Sequence, residues 1–166
     1  MIILSIGTNI GDRERNIENA IKALGEIGKV TAISPIYTSE PWGFESENGF
    51  YNIALTMESE LLPLDLLQET QRIEKELGRT AKTTTEYADR VIDIDIIDYD
   101  NQIIDYRVES ADNSSLLTLP HPLMHLRNFV LYPLTDIAPE WVHPILKLTT
   151  LELKAKSEDK SIPYKK

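Results

Sequence analysis

Cysteine is absent from this chain, which removes disulfides and thiolate chemistry without fixing a compartment. Positive charge is scarce: Lys and Arg total 17 against 27 Asp and Glu, a formal net charge of −10. So acidic a chain is poorly suited to nonspecific nucleic-acid binding, and no nucleic-acid partner is expected. An anionic ligand can still be held, but only where the few cations gather, ideally with a metal. Long hydrophobic runs are also missing. No stretch reaches the length of a membrane span, and Met1–Ile6 lacks the basic flank and the length of a signal peptide. The expectation is a cytoplasmic protein without membrane association. No internal repeat or low-complexity tract stands out. What is present suits one soluble globular domain: 166 residues, 42% hydrophobic and 27% charged, enough for a proper core.

Residues 1–150 are read as that single domain. Met1–Ile6 has the pattern of a strand, and Gly7–Asp12 that of a turn leading into a helix. On that helix Ile17, Ala20, Ile21 and Leu24 share one stripe, Asp12 is the N-cap, and Gly25 or Gly28 is the stop. Lys29–Thr38 and Phe50–Glu58 read as strands, joined by a loop over Ser39–Gly49 that is longer than most hairpin turns. Pro63 opens a second helix with Leu66, Thr70, Ile73 and Leu77 on its apolar side, ended by Gly78. Arg79–Asp89 is a second long polar loop, and a strand over residues 90–97 follows. The order β-α-β-β-α-β predicts an α+β, ferredoxin-like sandwich: an antiparallel sheet with helices on one face, plus C-terminal additions. Those additions begin with a β-excursion over Asn101–Ser115. A third helix is expected from Pro122 to near Pro133. Residues 151–166 are read as an extension, a helical fragment and then a loose basic tail.

The run Arg90-Val-Ile-Asp-Ile-Asp-Ile-Ile97 carries the most information about chemistry. On a strand, side chains two apart share a face. Ile92, Ile94 and Ile96 then point into a core, while Val91, Asp93, Asp95 and Ile97 point the other way. Two carboxylates are thus held roughly 7 Å apart, and their charge calls for cationic compensation. Arg90 offers one cation; divalent ions are the stronger candidate, because carboxylate oxygens are what Mg²⁺ takes from proteins. The plainer reading is two solvated acids on an exposed face. Gln71 and Glu74 lie on adjacent turns of one helix face, either a solvated side or a polar ledge at a cleft. The aromatic positions have the same two readings: Trp42, Phe50 and Phe129, with Asn52, are either core residues or the stacking faces and edge-reading amide of a flat-ligand site. His121, in Pro120-His-Pro122, and Arg127 could contact phosphate, or could be ordinary surface residues. Gly7-Thr8-Asn9-Ile10-Gly11 is preferred as a structural turn, since it lacks the features of a P-loop or a dinucleotide site.

Taken in order, these segments resemble one family, the 6-hydroxymethyl-7,8-dihydropterin pyrophosphokinases of folate biosynthesis. The resemblance is carried by Ser5-Ile-Gly-Thr-Asn9, Tyr37-Thr-Ser-Glu-Pro-Trp-Gly43, Phe50-Tyr-Asn52, Gln71-Arg-Ile-Glu74 with Gly78-Arg79, Arg90-Val-Ile-Asp-Ile-Asp95, Pro120-His-Pro122 and Arg127-Asn-Phe-Val-Leu-Tyr-Pro-Leu134. It implies transfer of diphosphate from ATP to the hydroxyl of 6-hydroxymethyl-7,8-dihydropterin, with release of AMP. By position it implies that Asp93 and Asp95 hold two Mg²⁺ ions, with Arg90 and Arg127 also catalytic. Phe50 and Phe129 would sandwich the pterin, Asn52 would read its edge, and groups at Ser39, Glu40 and Trp42 would complete that pocket. Gln71, Glu74, Arg79, Arg90, His121 and Arg127 would line the ATP side, with Ile96 and Thr118 near adenine. The loops Ser39–Gly49 and Arg79–Asp89 would be the family's mobile catalytic loops. The chain departs from the family at Tyr87-Ala-Asp-Arg90, where Trp-Gly-Pro-Arg is common, and at Leu116, where many members place a phosphate-binding arginine. A monomer acting on small molecules is expected. Two rivals share parts of this pattern: a ligand-binding regulatory module without chemistry, and a metal-dependent nucleotidyl- or glycosyltransferase.

Overall fold

A computed structural model describes residues 1–40, 49–78, 90–108 and 115–166. The strand β1 (Ile2–Thr8) leads to α1 (Arg13–Ile27), β2 (Lys29–Ile33), β3 (Tyr37–Ser39) and β4 (Phe50–Glu58). Then come α2 (Pro63–Glu76), β5 (Asp93–Tyr99), and the hairpin pair β6 (Ile104–Arg107) and β7 (Ser115–Leu119). A 3₁₀ turn at Met124–Leu126 precedes α3 (Asn128–Ile137), α4 (Thr150–Lys156) and β8 (Tyr164–Lys165). The main sheet runs β5-β1-β4-β3-β8, with β2 also paired to β4, and every described pairing in it is antiparallel. Helices on an antiparallel sheet are therefore the observed class.

Local signals set the helix ends. The Asp12 side chain accepts the Arg15 N–H and starts α1, which runs through Gly25 and stops at Gly28. Pro63 sits in the first turn of α2, and Gly78, at φ +109°, follows its end. Ile17, Ala20 and Leu24 of α1 and Leu66 and Ile73 of α2 pack on Ile2, Leu4, Ile6, Ile53, Leu55, Met57, Ile94 and Ile96 of the sheet. The alternation along residues 92–96 is as expected, with the isoleucines inside this core.

Four expectations need correcting. Lys29–Thr38 is two strands. Pro35 has no N–H to give the ladder, and at the break the Ser34 N–H bonds the Ala54 carbonyl while the Ser34 hydroxyl accepts the Ala54 N–H. The third helix does not open at Pro122 or end at Pro133. Residues 124–126 form a 3₁₀ turn, Arg127 is extended, and α3 begins at Asn128 with Pro133 inside it. An interior proline costs about 3 kcal/mol. Burial of Val130, Leu131 and Leu134 offsets it at roughly 1.5–3 kcal/mol per side chain.

The helices do not all lie on one face. α3 and α4 form a second core on the opposite face, with Ile3, Ala54 and Ile97 of the sheet. Ile97 and Asp98 both turn toward this side because the β1–β5 register slips between Ile3 and Leu4. Finally, the tail is not loose. A Thr149/Glu152 capping box starts α4, Pro163 is buried, and β8 pairs with β3 at the sheet edge.

Candidate active site

The second face of the sheet is divided. Its apolar half, around Ile3, Ala54 and Ile97, lies under α3. Its polar half holds Ser5, Gly7, Asn52, Asp93 and Asp95, brought together by register: Asp93 lies opposite Gly7, which lies opposite Asn52, and Asp95 lies opposite Ser5. Phe50 is two residues from Asn52 on β4, so it shares this face. A helix is selected for the greasy half, and the carboxylates remain half-buried beside it.

Gly7 makes room in the middle. Its φ is not in the left-handed region, so space is the reason for glycine here. A Cβ would stand 2.9 Å from Asn52 Oδ1 and 3.6 Å from a Phe50 ring carbon. Asn52 is buried, and its amide donates to the Ser39 hydroxyl at 2.6 Å. The amide that the sequence reading assigned to a ligand edge is thus oriented by Ser39, while Glu40 is exposed.

The aspartate strand is fixed by groups from elsewhere. Glu74, 4% exposed on α2, accepts the Ile94 N–H at 2.9 Å, between the two aspartates. Its helix neighbour Gln71 is exposed. Asn9 grips the backbone of Arg90 twice: its side-chain oxygen accepts the Arg90 N–H at 2.6 Å and its N–H donates to the Arg90 carbonyl at 3.0 Å. The Asn16 amide donates to Thr8 Oγ1, the Ile10 carbonyl and the Val91 carbonyl. The Gly7–Gly11 turn is accordingly structural, and its task is to hold the start of the aspartate strand.

On the other flank, the His121 N–H bonds the Ile97 carbonyl at 2.8 Å, and His121 Nδ1 accepts the Leu123 N–H at 3.1 Å. In the neutral ring this puts the proton on Nε2. Arg127 is 3% exposed, its guanidinium carbon 5.6 Å from the centre of the half-buried Phe129 ring. Burial lowers its pKa to about 10, so it still carries its charge at neutral pH. Thr118 is half-buried on β7 and donates to Asp105 at 3.2 Å, and the Ile96 side chain belongs to the first core. Trp42 and Arg79 lie outside the described residues, as do most of the two long loops.

Asp98, the third acid of the strand, is no ligand candidate. It is 1% exposed, accepts the Asn101 N–H at 2.9 Å, and burial raises its pKa. Among the described residues no three His, Asp or Glu side chains gather around a point. The donor set is then two half-exposed carboxylates. That fits Mg²⁺, which commonly takes one or two protein carboxylates and completes its octahedron with substrate phosphates and water.

Gly7, Asn9, Asn16 and Ser39 as a side-chain acceptor were not assigned these tasks from sequence. Asparagine in a glycine-bounded turn was the available signal, but the partners of Asn9 and Asn16 at Arg90 and Val91 are too remote in sequence to infer.

The family model for 7,8-dihydro-6-hydroxymethylpterin-pyrophosphokinase matches residues 3–139. The chain is 44% identical over 146 residues to 2-amino-4-hydroxy-6-hydroxymethyldihydropteridine pyrophosphokinase of Porphyromonas gingivalis, covering 87% of this chain and 94% of that one. It is 38% identical over 153 residues to the protein of the same name from Aquifex aeolicus, covering 92% and 89%. The wild-type HPPK-DHPS of Plasmodium falciparum with SDX-DHP shares the fold, with a TM-score of 0.73 at 18% identity. That likeness covers 93% of this chain and 44% of the solved one. The chain belongs to the 7,8-dihydro-6-hydroxymethylpterin-pyrophosphokinase family.

Proposed function

We propose that this protein transfers the β,γ-diphosphate of ATP to the hydroxyl of 6-hydroxymethyl-7,8-dihydropterin and releases AMP, with Mg²⁺ required. The observation that carries the reading is the polar half of the second sheet face. There Asp93 stands in register with the Gly7 gap and Asp95 with Ser5, Asn52 lies beyond the gap, and α3 borders the face. Membership of the family supports the reaction type.

In this reading the pterin hydroxyl oxygen attacks the β-phosphorus. The bond to the oxygen bridging the α-phosphate breaks, that oxygen departs with AMP, and the hydroxyl proton leaves to solvent. Little covalent chemistry is asked of the protein, so catalysis comes from positioning and fixed charge. Asp93 and Asp95 would hold two Mg²⁺ ions, which when bound neutralise phosphate charge and make the hydroxyl a better nucleophile. Glu74 and Asn9 keep the aspartate strand in place from behind. Arg127, buried and charged, and Arg90 would meet the phosphates, with His121 Nε2 as a further donor. Phe50 and Phe129 would stack on the pterin and Asn52 would bond its edge, with Ser39, Glu40 and Trp42 nearby. Gln71, Glu74, Arg79, Ile96 and Thr118 are assigned to the ATP side.

The finer frame we propose is a ferredoxin-like βαββαβ unit, supported by the order β5-β1-β4 followed by β2 and β3. The catalytic unit is assigned to residues 1–150, and a cytoplasmic monomer, working where ATP is abundant, is the form expected.

One incubation tests the reaction: MgATP with the hydroxymethyl-dihydropterin, products separated by chromatography. AMP and pterin diphosphate in equal amounts support the reading. Pyrophosphate or a nucleoside diphosphate would favour another transferase, and absence of ATP consumption would favour a binding module.

A further inference from the structure

We propose that the segment after α4 is a positioning element of the site, with Asp159 orienting Phe129 through the N-terminus of α3. The inference rests on the assignment of Phe129 to pterin binding. α3 begins with no cap of its own, because the residue at its N-cap is Arg127, whose guanidinium has no acceptor to offer. The first backbone N–H groups of a helix need acceptors from outside it. Asp159 Oδ2 supplies one, accepting the Asn128 N–H at 2.9 Å across 31 residues of sequence.

The clasp is reciprocal. The Asn128 amide donates to the Asp159 carbonyl at 3.0 Å and the Ser161 carbonyl at 2.7 Å. The other carboxylate oxygen of Asp159 accepts both the Ser161 N–H, at 2.9 Å, and the Ser161 hydroxyl, at 2.7 Å. Asn128 is 4% exposed and Asp159 half-buried, so the Asn128 side of the clasp is shielded from water. The tail then joins β3 as β8, opposite Tyr37 and Thr38, next to the Ser39 that orients Asn52. One segment therefore ties together both proposed walls of the pterin pocket.

The first turn of α3 depends on this tie more than an ordinary helix start would. Pro133 cannot donate to the Phe129 carbonyl, so one of the bonds that would knit that turn to the next is missing. Val130, Leu131 and Leu134 are members of the second core, whereas Phe129 packs against its edge and stays half-buried. Arg127 has its own support in burial and in the 3₁₀ turn, where its N–H reaches the Met124 carbonyl. Loss of the Asp159 cap should thus loosen Phe129 and spare Arg127.

The test compares Asp159→Ala and Asp159→Asn with the wild type in the full chain, by amide hydrogen exchange and by steady-state kinetics. With Asp159→Ala, amides 128–131 should exchange about fivefold faster, the factor that loss of an ordinary cap produces, while β1 and β4 keep their protection. The KM for pterin should rise by about the same factor, with kcat and the KM for ATP changed less than about twofold. Asp159→Asn keeps an acceptor and should fall near the wild type in both. Unchanged exchange at 128–131, or faster exchange spread evenly over the sheet, overturns the proposal. So does an equal rise in both KM values. If the wild type makes no pterin diphosphate, the functional assignment fails and the kinetic arm goes with it, while exchange at 128–131 still decides whether Asp159 holds α3.

Discussion

Adding one methyl group at Gly7 should damage pterin binding without unfolding the protein. The new Cβ would stand 2.9 Å from Asn52 Oδ1, closer than such atoms approach, so the amide must move. Asn52 has little freedom to do so, being 3% exposed and bonded to Ser39 at 2.6 Å. Displacing the amide forfeits a buried hydrogen bond in free and bound protein alike, about 1 kcal/mol net of stability, and in the complex leaves a polar edge of the ligand mispaired, for roughly 1–3 kcal/mol of binding. Affinity for pterin should then fall about 5- to 150-fold. Fold stability should change little. Gly7 has no left-handed φ to strain, and alanine restricts the unfolded chain by an amount worth about 0.4–1 kcal/mol, which offsets part of the lost bond. The assay is calorimetric titration of Gly7→Ala with pterin in the presence of a non-hydrolysable ATP analogue, a separate titration with the analogue, and a thermal melt. Undiminished pterin affinity would refute the reasoning. A matching loss for the nucleotide would as well, because it would mean that the methyl group disturbs the whole cleft rather than Asn52.

Asp95→Ala should abolish turnover and leave the melting curve intact; more than about a tenth of wild-type activity would contradict the metal role. Phe129→Ala should weaken pterin binding by roughly 1–3 kcal/mol with little effect on ATP, by loss of stacking area, as read by the same titrations. Gly28→Ala should act on the fold: its Cβ would meet the Glu58 carbonyl oxygen at 2.4 Å and the Met57 methyl at 2.6 Å, for a loss of about 2 kcal/mol or more in denaturant unfolding. Gly25→Ala, with nothing within 4 Å, should instead stabilise α1 by about 0.5–1 kcal/mol. His143 should give the fold a pH dependence. Its Nδ1 accepts the N–H groups of Ile145 and Leu146, and burial, with a smaller effect from His125, lowers its pKa. The unfolded state therefore takes up the proton first, and stability present above about pH 6.5 is lost as pH falls toward and through the lowered value. His143→Asn should flatten that slope between about pH 7.5 and 5 in denaturant unfolding; parallel curves would remove His143 as the cause.

Among the described residues of the first 100, sequence periodicity by itself determined both helices and the strands other than the break at Pro35, and the opposite facing of Asp93 and Asp95 from Ile92, Ile94 and Ile96. These follow from backbone geometry within a few residues, which is why Asp12, Pro63 and Gly28 could be read as boundaries or as candidates for them. The ordered motifs also identified the family. Tertiary structure decided the rest. Whether α3 starts at Pro122 or Asn128 depends on which residues the second core can bury, and Pro133 is carried inside it by that burial. That α3 lies on the aspartate face follows from a patch at Ile3, Ala54 and Ile97, three residues on three strands. Asn9 on Arg90, Glu74 on the Ile94 N–H and Asp159 on α3 are bonds between distant segments. No local pattern encodes them, because each exists only once sheet register and helix docking have brought donor and acceptor together.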